Sequence, residues 1–157
     1  PADGNEVSAA YKIALESRKT PSVISLTRQN LPQLEGSSIE KASHGGYVLV
    51  ENTDADITLV STGSEVSICC DAVAKLAERG IKARIVSVPC FRVFDLQPYD
   101  YRISVLPSGN PIMSVEAYST FGWGCVLART PWHQHFRCFG AVPEGVRKVP
   151  AYRPRCG

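Results

Sequence analysis

Arg28 follows an apolar run, Ser22-Val23-Ile24-Ser25-Leu26, and leads into Gln29-Asn30-Leu31-Pro32. A cation at the end of a strand is chemically pointed, because open α/β sheets present groups to ligands there. Its planar guanidinium can grip a phosphate through two parallel charge-assisted hydrogen bonds. The competing role for Arg28 is an interdomain ion pair, for instance with a linker carboxylate. A second stretch suited to chemistry is Ser61-Thr62-Gly63-Ser64-Glu65, which follows the apolar run Ile57-Thr58-Leu59-Val60. A strand, a glycine turn and a helix start can present free backbone N–H groups to an anion. Thr62, Gly63 and Ser64 would then hold a regulatory anion or nucleotide. The stretch is no P-loop, since the lysine and the full glycine spacing are missing. The same residues also suit a plain helix start, with Thr62 or Ser64 as cap and Glu65 at the positive end.

Other reactive side chains form no constellation. His133 and His135 could share one face of a strand but have no third ligand in register. His44 sits beside Gly45-Gly46 with no adjacent base partner. The six cysteines are Cys69, Cys70, Cys90, Cys125, Cys138 and Cys156, and no two make a CxxC pair. They read as reduced thiols of a cytoplasmic protein, with Cys69 and Cys70 as packing residues on a helix. No zinc or other metal pattern is present.

The elements that must carry these groups alternate. Asn5 or Asp3 can cap a helix running to about Arg18, with Val7, Ala10, Tyr11, Ala14 and Leu15 as one apolar stripe. Thr20-Pro21 breaks it, and a buried strand is predicted to lead into Arg28. Residues 33–46 are polar, rich in Ser and Gly, and read as a linker. Strands are predicted at Tyr47 to Glu51, Ile57 to Ser61, Ala83 to Val88 and Ile112 to Val115. A helix from the Gly63 turn to about Arg79 repeats Val66, Cys70, Val73, Ala74 and Ala77 at three and four, and Gly80 stops it. Asp95 can cap a short helix to Leu106. A strand, helix and strand of this length predict a right-handed parallel crossover. The class is therefore α/β with a largely parallel sheet.

The net charge of +2 hides an asymmetry. Residues 1–124 are net acidic, whereas residues 125–157 carry six basic side chains against one acidic. The tail's arginines are scattered among prolines rather than set on one face, which argues against a nucleic-acid surface. No stretch approaches the ~20 apolar residues of a membrane span. The N-terminus lacks the basic-then-apolar pattern of a secretion signal. Neither nucleic acid nor membrane is expected as a partner.

Several motifs, taken together and in order, resemble the transketolase family. They are Pro1-Ala2-Asp3-Gly4-Asn5-Glu6-Val7, Leu26-Thr27-Arg28-Gln29-Asn30-Leu31-Pro32, Gly45-Gly46-Tyr47-Val48-Leu49, Ser61-Thr62-Gly63-Ser64-Glu65-Val66, Tyr101-Arg102-Ile103-Ser104-Val105-Leu106-Pro107 and Met113-Ser114-Val115-Glu116. Each alone is weak; the ordered set is specific and reads closest to fungal members.

The resemblance implies a three-layer C-terminal domain with one antiparallel strand, incomplete here and preceded by a helix and strand of the middle, pyrimidine-binding domain. Residues 1–32 would end that middle domain, 33–46 would be the linker, and 47–124 part of the C-terminal domain. It also implies ketol transfer between sugar phosphates, a homodimer, and thiamine diphosphate with a divalent cation, Mg or Ca. The groups that hold and activate the cofactor would lie upstream, so this chain alone should bind none and be inactive. Arg28 matches the family arginine that binds the sugar-phosphate substrate. Arg102 and Glu116 read as scaffold, Arg102 pairing with a sheet-end carboxylate. The alternatives are a fragment of the related dihydroxyacetone synthase, or a non-enzymatic anion-binding module built on the Gly63 turn.

After Gly124 the family text stops. Codons for Gln134-His135-Phe136-Arg137-Cys138-Phe139-Gly140-Ala141 can be chosen that, in another frame, give the family's Phe-Gly-Ala-Ser-Gly. Residues 125–157 are therefore expected to be out of frame, with no selected fold.

Overall fold

The computed structural model describes residues 1–107 and 109–117, Trp123, and the backbone of Arg137–Gly140. The tail histidines and most of residues 125–157 lie outside the described residues, as do the side chains of 137–140.

The sheet is organised around two strands, β2 (Ile57–Ser61) and β3 (Ala83–Ser87). They run parallel from the Ile57–Ala83 pair to the Ser61–Ser87 pair. All five residues of β3 are buried, as expected of a strand covered by helices on both faces. α3 (Glu65–Ala77) makes the crossover between them. β4 (Ile112–Glu116) adds in parallel on the other side of β2, and β5 (Arg137–Gly140) adds in parallel to β4. β1 (Tyr47–Val50) pairs antiparallel with β3, with an irregularity between Val48 and Val50. Among the described residues the order is β1-β3-β2-β4-β5.

The pleat sends alternate residues to two cores. Leu49, Leu59 and Ile85 join Val66 and Cys69 of α3 and Ala9 of α1 (Gly4–Glu16) on one face. Val60, Val86 and Val88 join Phe94, Val105 and Trp123 on the other. Phe94 and Val105 come from α4 (Phe91–Asp95) and α5 (Tyr99–Val105). The architecture is three-layer α/β with one antiparallel strand. Each fully buried residue such as Leu59 or Ile85 contributes about 1.5–3 kcal/mol. Gly45 and Gly46 let α4 pack closely. Gly45 has φ +79°, and a Cβ on it would fall 2.5 Å from the Phe94 nitrogen and 2.6 Å from the Cys90 carbonyl oxygen.

The local differences from expectation have physical causes. Residues 21–27 form no strand, and Val23 is 96% exposed. An apolar run becomes a strand only beside a neighbour that takes its backbone hydrogen bonds, and none of the described strands pairs with this run. α1 turns part of its expected stripe outward, with Val7, Ala10 and Ala14 only half-buried. Tyr11 and Leu15 are exposed, while Glu6 and Ala9 are buried. The helix expected from Asp95 to Leu106 is present as α5 but begins only at Tyr99, because Pro98 has no N–H and disfavours helical geometry in the residue before it, and an unexpected short helix, α4, precedes it. Asp95 ends α4 rather than capping α5. The expected linker is structured: it holds α2 (Ile39–Ala42) and buries Leu34 and Ala42. β5 falls in the segment expected to lack regular structure, and its backbone extends the sheet.

Candidate functional site

β3 and β4 lie on opposite sides of β2, so the chain changes direction at the C-terminal ends of β2 and β4. Sheets of this topology receive ligands in that crevice. Thr62, Gly63 and Ser64 stand there, following β2, and Glu116 ends β4. The Thr62 hydroxyl donates to Glu116 Oε2 at 3.2 Å, and the Ser64 hydroxyl to Glu65 Oε2 at 3.0 Å. Gly63 has φ +55°, and a Cβ there would meet the Pro1 carbonyl oxygen at 3.9 Å and Glu65 Oε2 at 4.0 Å. Two carboxylates and a carbonyl thus crowd the turn. Their charge opposes an anion at Thr62, Gly63 and Ser64. The plain cap reading fails in its detail as well. Ser64 is in helical geometry and makes no side-chain cap bond; the Val66 N–H donates to the Gly63 carbonyl at 3.2 Å.

The N-terminal end of α1 covers the same edge with a buried polar cluster. Glu6 is 1% exposed. Its Oε1 accepts from Tyr47 Oη at 2.9 Å and Ser87 Oγ at 2.6 Å, and its Oε2 accepts from the Ala2 N–H at 2.7 Å. Burial, reinforced by the Glu6 charge, pushes the Tyr47 phenol well above its ordinary range. Asp3, also buried, caps α1 by accepting from the Glu6 N–H at 2.9 Å through Oδ1. Its Oδ2 accepts from Gln33 Nε2 at 2.7 Å, the Leu34 N–H at 3.2 Å and Ser37 Oγ. Reasoning from sequence offered Asp3 as a cap and passed over Glu6. The signal was the Asp3-x-x-Glu6 spacing of a capping box, although Glu6 bonds the residue before the cap.

Arg28 is exposed, in a segment without regular structure between α1 and Gln33. Close by, the Gln29 N–H donates to Thr27 Oγ1 at 3.3 Å. The structure does not bring Arg28 together with the Gly63 turn into one site. Arg102 pairs with no carboxylate among the described residues; its guanidinium carbon lies 5.9 Å from the Tyr99 ring centre. The arginine in a sheet-end ion pair is Arg84. It meets Glu51 at 2.8 and 3.3 Å and donates to the Val105 and Ser104 carbonyls at 2.7 and 2.8 Å. Cys69 is sealed in the core, and burial pushes its thiol up to about 12, a packing role rather than a nucleophile's. His44 stacks on Tyr101 with ring centres 4.9 Å apart.

Among the described residues no three His, Cys, Asp or Glu side chains gather to hold a metal ion. The Gly63 turn is faced by the carboxylates of Glu65 and Glu116. Among the described residues, nothing matches the donor set that a diphosphate or its cation would need.

These features define a three-layer α/β domain whose helix α1 is bound to the C-terminal end of β3 through Glu6. The family described as Transketolase-like TK C-terminal domain matches residues 45–145, which runs past Gly124 where the sequence pattern changes. Transketolase 1 of Saccharomyces cerevisiae is 56% identical over 156 residues, covering 93% of this chain and 23% of that protein. The probable transketolase of Schizosaccharomyces pombe is 63% identical over 124 residues, covering 78% of this chain and 18% of that protein. A crystal structure of transketolase from Pichia stipitis in complex with sedoheptulose 7-phosphate superposes with TM-score 0.78 at 63% identity, covering 79% of this chain and 18% of that one. The chain belongs to the transketolase family. It spans about a fifth of the length of the relatives it matches.

Proposed function

We propose that this chain is part of a transketolase that moves a two-carbon ketol unit from a ketose phosphate to an aldose phosphate in the pentose phosphate pathway. The observation that carries this reading is identity of 56–63% with fungal transketolases along most of the chain. The sugar phosphate in the Pichia stipitis complex supports the substrate class. The whole enzyme would be a cytoplasmic homodimer holding thiamine diphosphate and a divalent cation, Mg or Ca, on other parts of the polypeptide. The dihydroxyacetone synthase alternative gains nothing from these relatives. The anion-binding module is disfavoured by Glu65 and Glu116 at the Gly63 turn.

Within this chain Arg28 would neutralise the substrate phosphate and fix the register of the sugar. That is positioning, which lowers the entropic part of the barrier. Its exposure leaves the guanidinium fork open to a ligand. In the full-length enzyme, Arg28→Ala should raise KM for phosphorylated sugars by about 10–100-fold, the worth of a lost charge-assisted pair, with a smaller effect on kcat. Unchanged kinetics with phosphorylated sugars would refute the assignment.

A further inference from the structure

We propose that Asp3 and Glu6 are positioning residues for Arg28, two buried carboxylates that clamp the arginine-bearing segment to the sheet. The inference rests on the reading of Arg28 as the phosphate grip, and it assigns what holds that grip still.

The segment from Ser17 to Gln33 has no helix or strand of its own. A group that must meet a phosphate reproducibly cannot be placed by such a segment alone, so its placement comes from the two ends. One end is α1, whose last turn closes through the Ser17 N–H on the Ile13 carbonyl at 3.0 Å. The other end is Gln33 and Leu34, and both donate to Asp3. Asp3 also caps the start of α1. A single carboxylate therefore joins the start of the helix to the far end of the segment that follows it. Arg28 stands five residues before Gln33, no more than about 18 Å of extended chain from this clasp.

Glu6 fastens the clasp to the fold. Its Oε1 takes donors from β1 through Tyr47 and from β3 through Ser87, and its Oε2 takes the Ala2 N–H. The path runs from the sheet through Glu6 to α1, through Asp3 to Gln33 and Leu34, and on to Arg28. The chemistry requires carboxylates at both positions. Asp3 accepts four donors and Glu6 three, whereas an amide would turn its own N–H groups toward some of them. No cation pairs with either among the described residues, so hydrogen bonds alone compensate the burial of these polar groups. The C-terminal sheet would then contribute to catalysis without touching substrate, as the rigid base for the phosphate grip.

The test compares full-length Arg28→Ala, Asp3→Asn and the double variant Gln33→Ala/Ser37→Ala, which removes two donors at the less buried side of the clasp. Steady-state kinetics would use xylulose 5-phosphate and unphosphorylated xylulose as donors, with thermal melting as a check on folding. The expected result is a KM increase of about 3–10-fold for the phosphorylated donor in the clasp variants. KM for xylulose and kcat should stay within about twofold. Combining either clasp change with Arg28→Ala should add little beyond Arg28→Ala alone, the signature of coupled residues. Equal losses on both donors, or additive effects in the combined variants, would overturn the clasp. A phosphate-selective loss in Arg28→Ala that neither clasp variant shares also overturns it, while leaving the grip intact. No selective loss in Arg28→Ala overturns the grip and the clasp with it. Should Asp3→Asn fail to fold, the Gln33→Ala/Ser37→Ala protein decides alone.

Discussion

Two buried acids, Cys69 and Tyr47, should tie the stability of this domain to alkaline pH. The Cys69 thiol rises from its ordinary 9.0 to about 12 because burial disfavours the thiolate, with the nearby Ser61 side chain opposing in part. Between those values the unfolded chain has lost a proton that the folded chain keeps, so folding stability falls as pH rises. The thiol's contribution is whole below about pH 9 and is lost progressively toward pH 12. Tyr47 acts in the same direction from its ordinary 10.0 upward. Cys69→Ala should therefore flatten the fall in melting temperature between about pH 9 and pH 11. Parallel curves for the two proteins would show that the thiol does not titrate on unfolding. Arg84 is the other single residue with a large expected effect. Its side chain is 7% exposed and donates to two carbonyls as well as to Glu51. Arg84→Ala leaves those carbonyls without a donor and should cost about 3 kcal/mol or more, measured by urea denaturation. Arg84→Lys should recover little, because an ammonium cannot reproduce the planar fork. A loss below about 1 kcal/mol would mean that water replaces the guanidinium.

Elements differed in how plainly the sequence announced them. β2 and β3 were legible because a doubly covered parallel strand is a short, nearly unbroken apolar run. The Gly80 end of α3 was legible for the same local reason, a glycine at φ +74°. α1 was legible as a helix but not in its facing. Periodicity chose Tyr11 and Leu15 for the core, whereas the helix buries Glu6, whose partners Tyr47 and Ser87 are 41 and 81 residues away. No window on the sequence contains those partners. Arg28 stood out by its motif as a candidate, the hydrogen bonds around Asp3 and Glu6 did not, and the Gly63 turn looked open because Glu116 lies 54 residues from Thr62. The Gly45-Gly46 pair shows the same limit. It fell in the stretch read as a linker, yet it is the seat of α4. Gly45→Ala should destabilise by about 1–3 kcal/mol or more, since φ +79° and a 2.5 Å approach to the Phe94 nitrogen act together. Gly80→Ala, with an open site, should cost less. Equal losses at the two positions would mean that backbone strain alone matters and that the close approach of α4 relaxes away.

At the scale of the molecule, the distribution of apolar surface is uneven. The two cores are closed around the sheet, but the outer side of α1 and the segment after it expose Tyr11, Leu15, Val23 and Leu26. Leu15 is 80% exposed and Val23 96%, values that a soluble surface tolerates singly more readily than several within one short stretch of chain. The same stretch carries Arg28, so in the proposed enzyme it would be covered by the rest of the polypeptide, with only the guanidinium left facing substrate. Among the described residues of the isolated chain nothing covers it. Purified alone, it should self-associate through this side, and Leu15→Lys with Val23→Lys should shift it toward a monomer in size-exclusion chromatography with light scattering. The same double substitution should leave the melting transition nearly unchanged, because neither residue contributes to either core. Loss of self-association together with loss of the melting transition would mean that the side chains support the fold instead. A monomeric parent chain would show that the exposed run does not drive association. In that case burial against other parts of the enzyme would have to be sought elsewhere, first along the edge of β1 that β3 leaves free among the described strands.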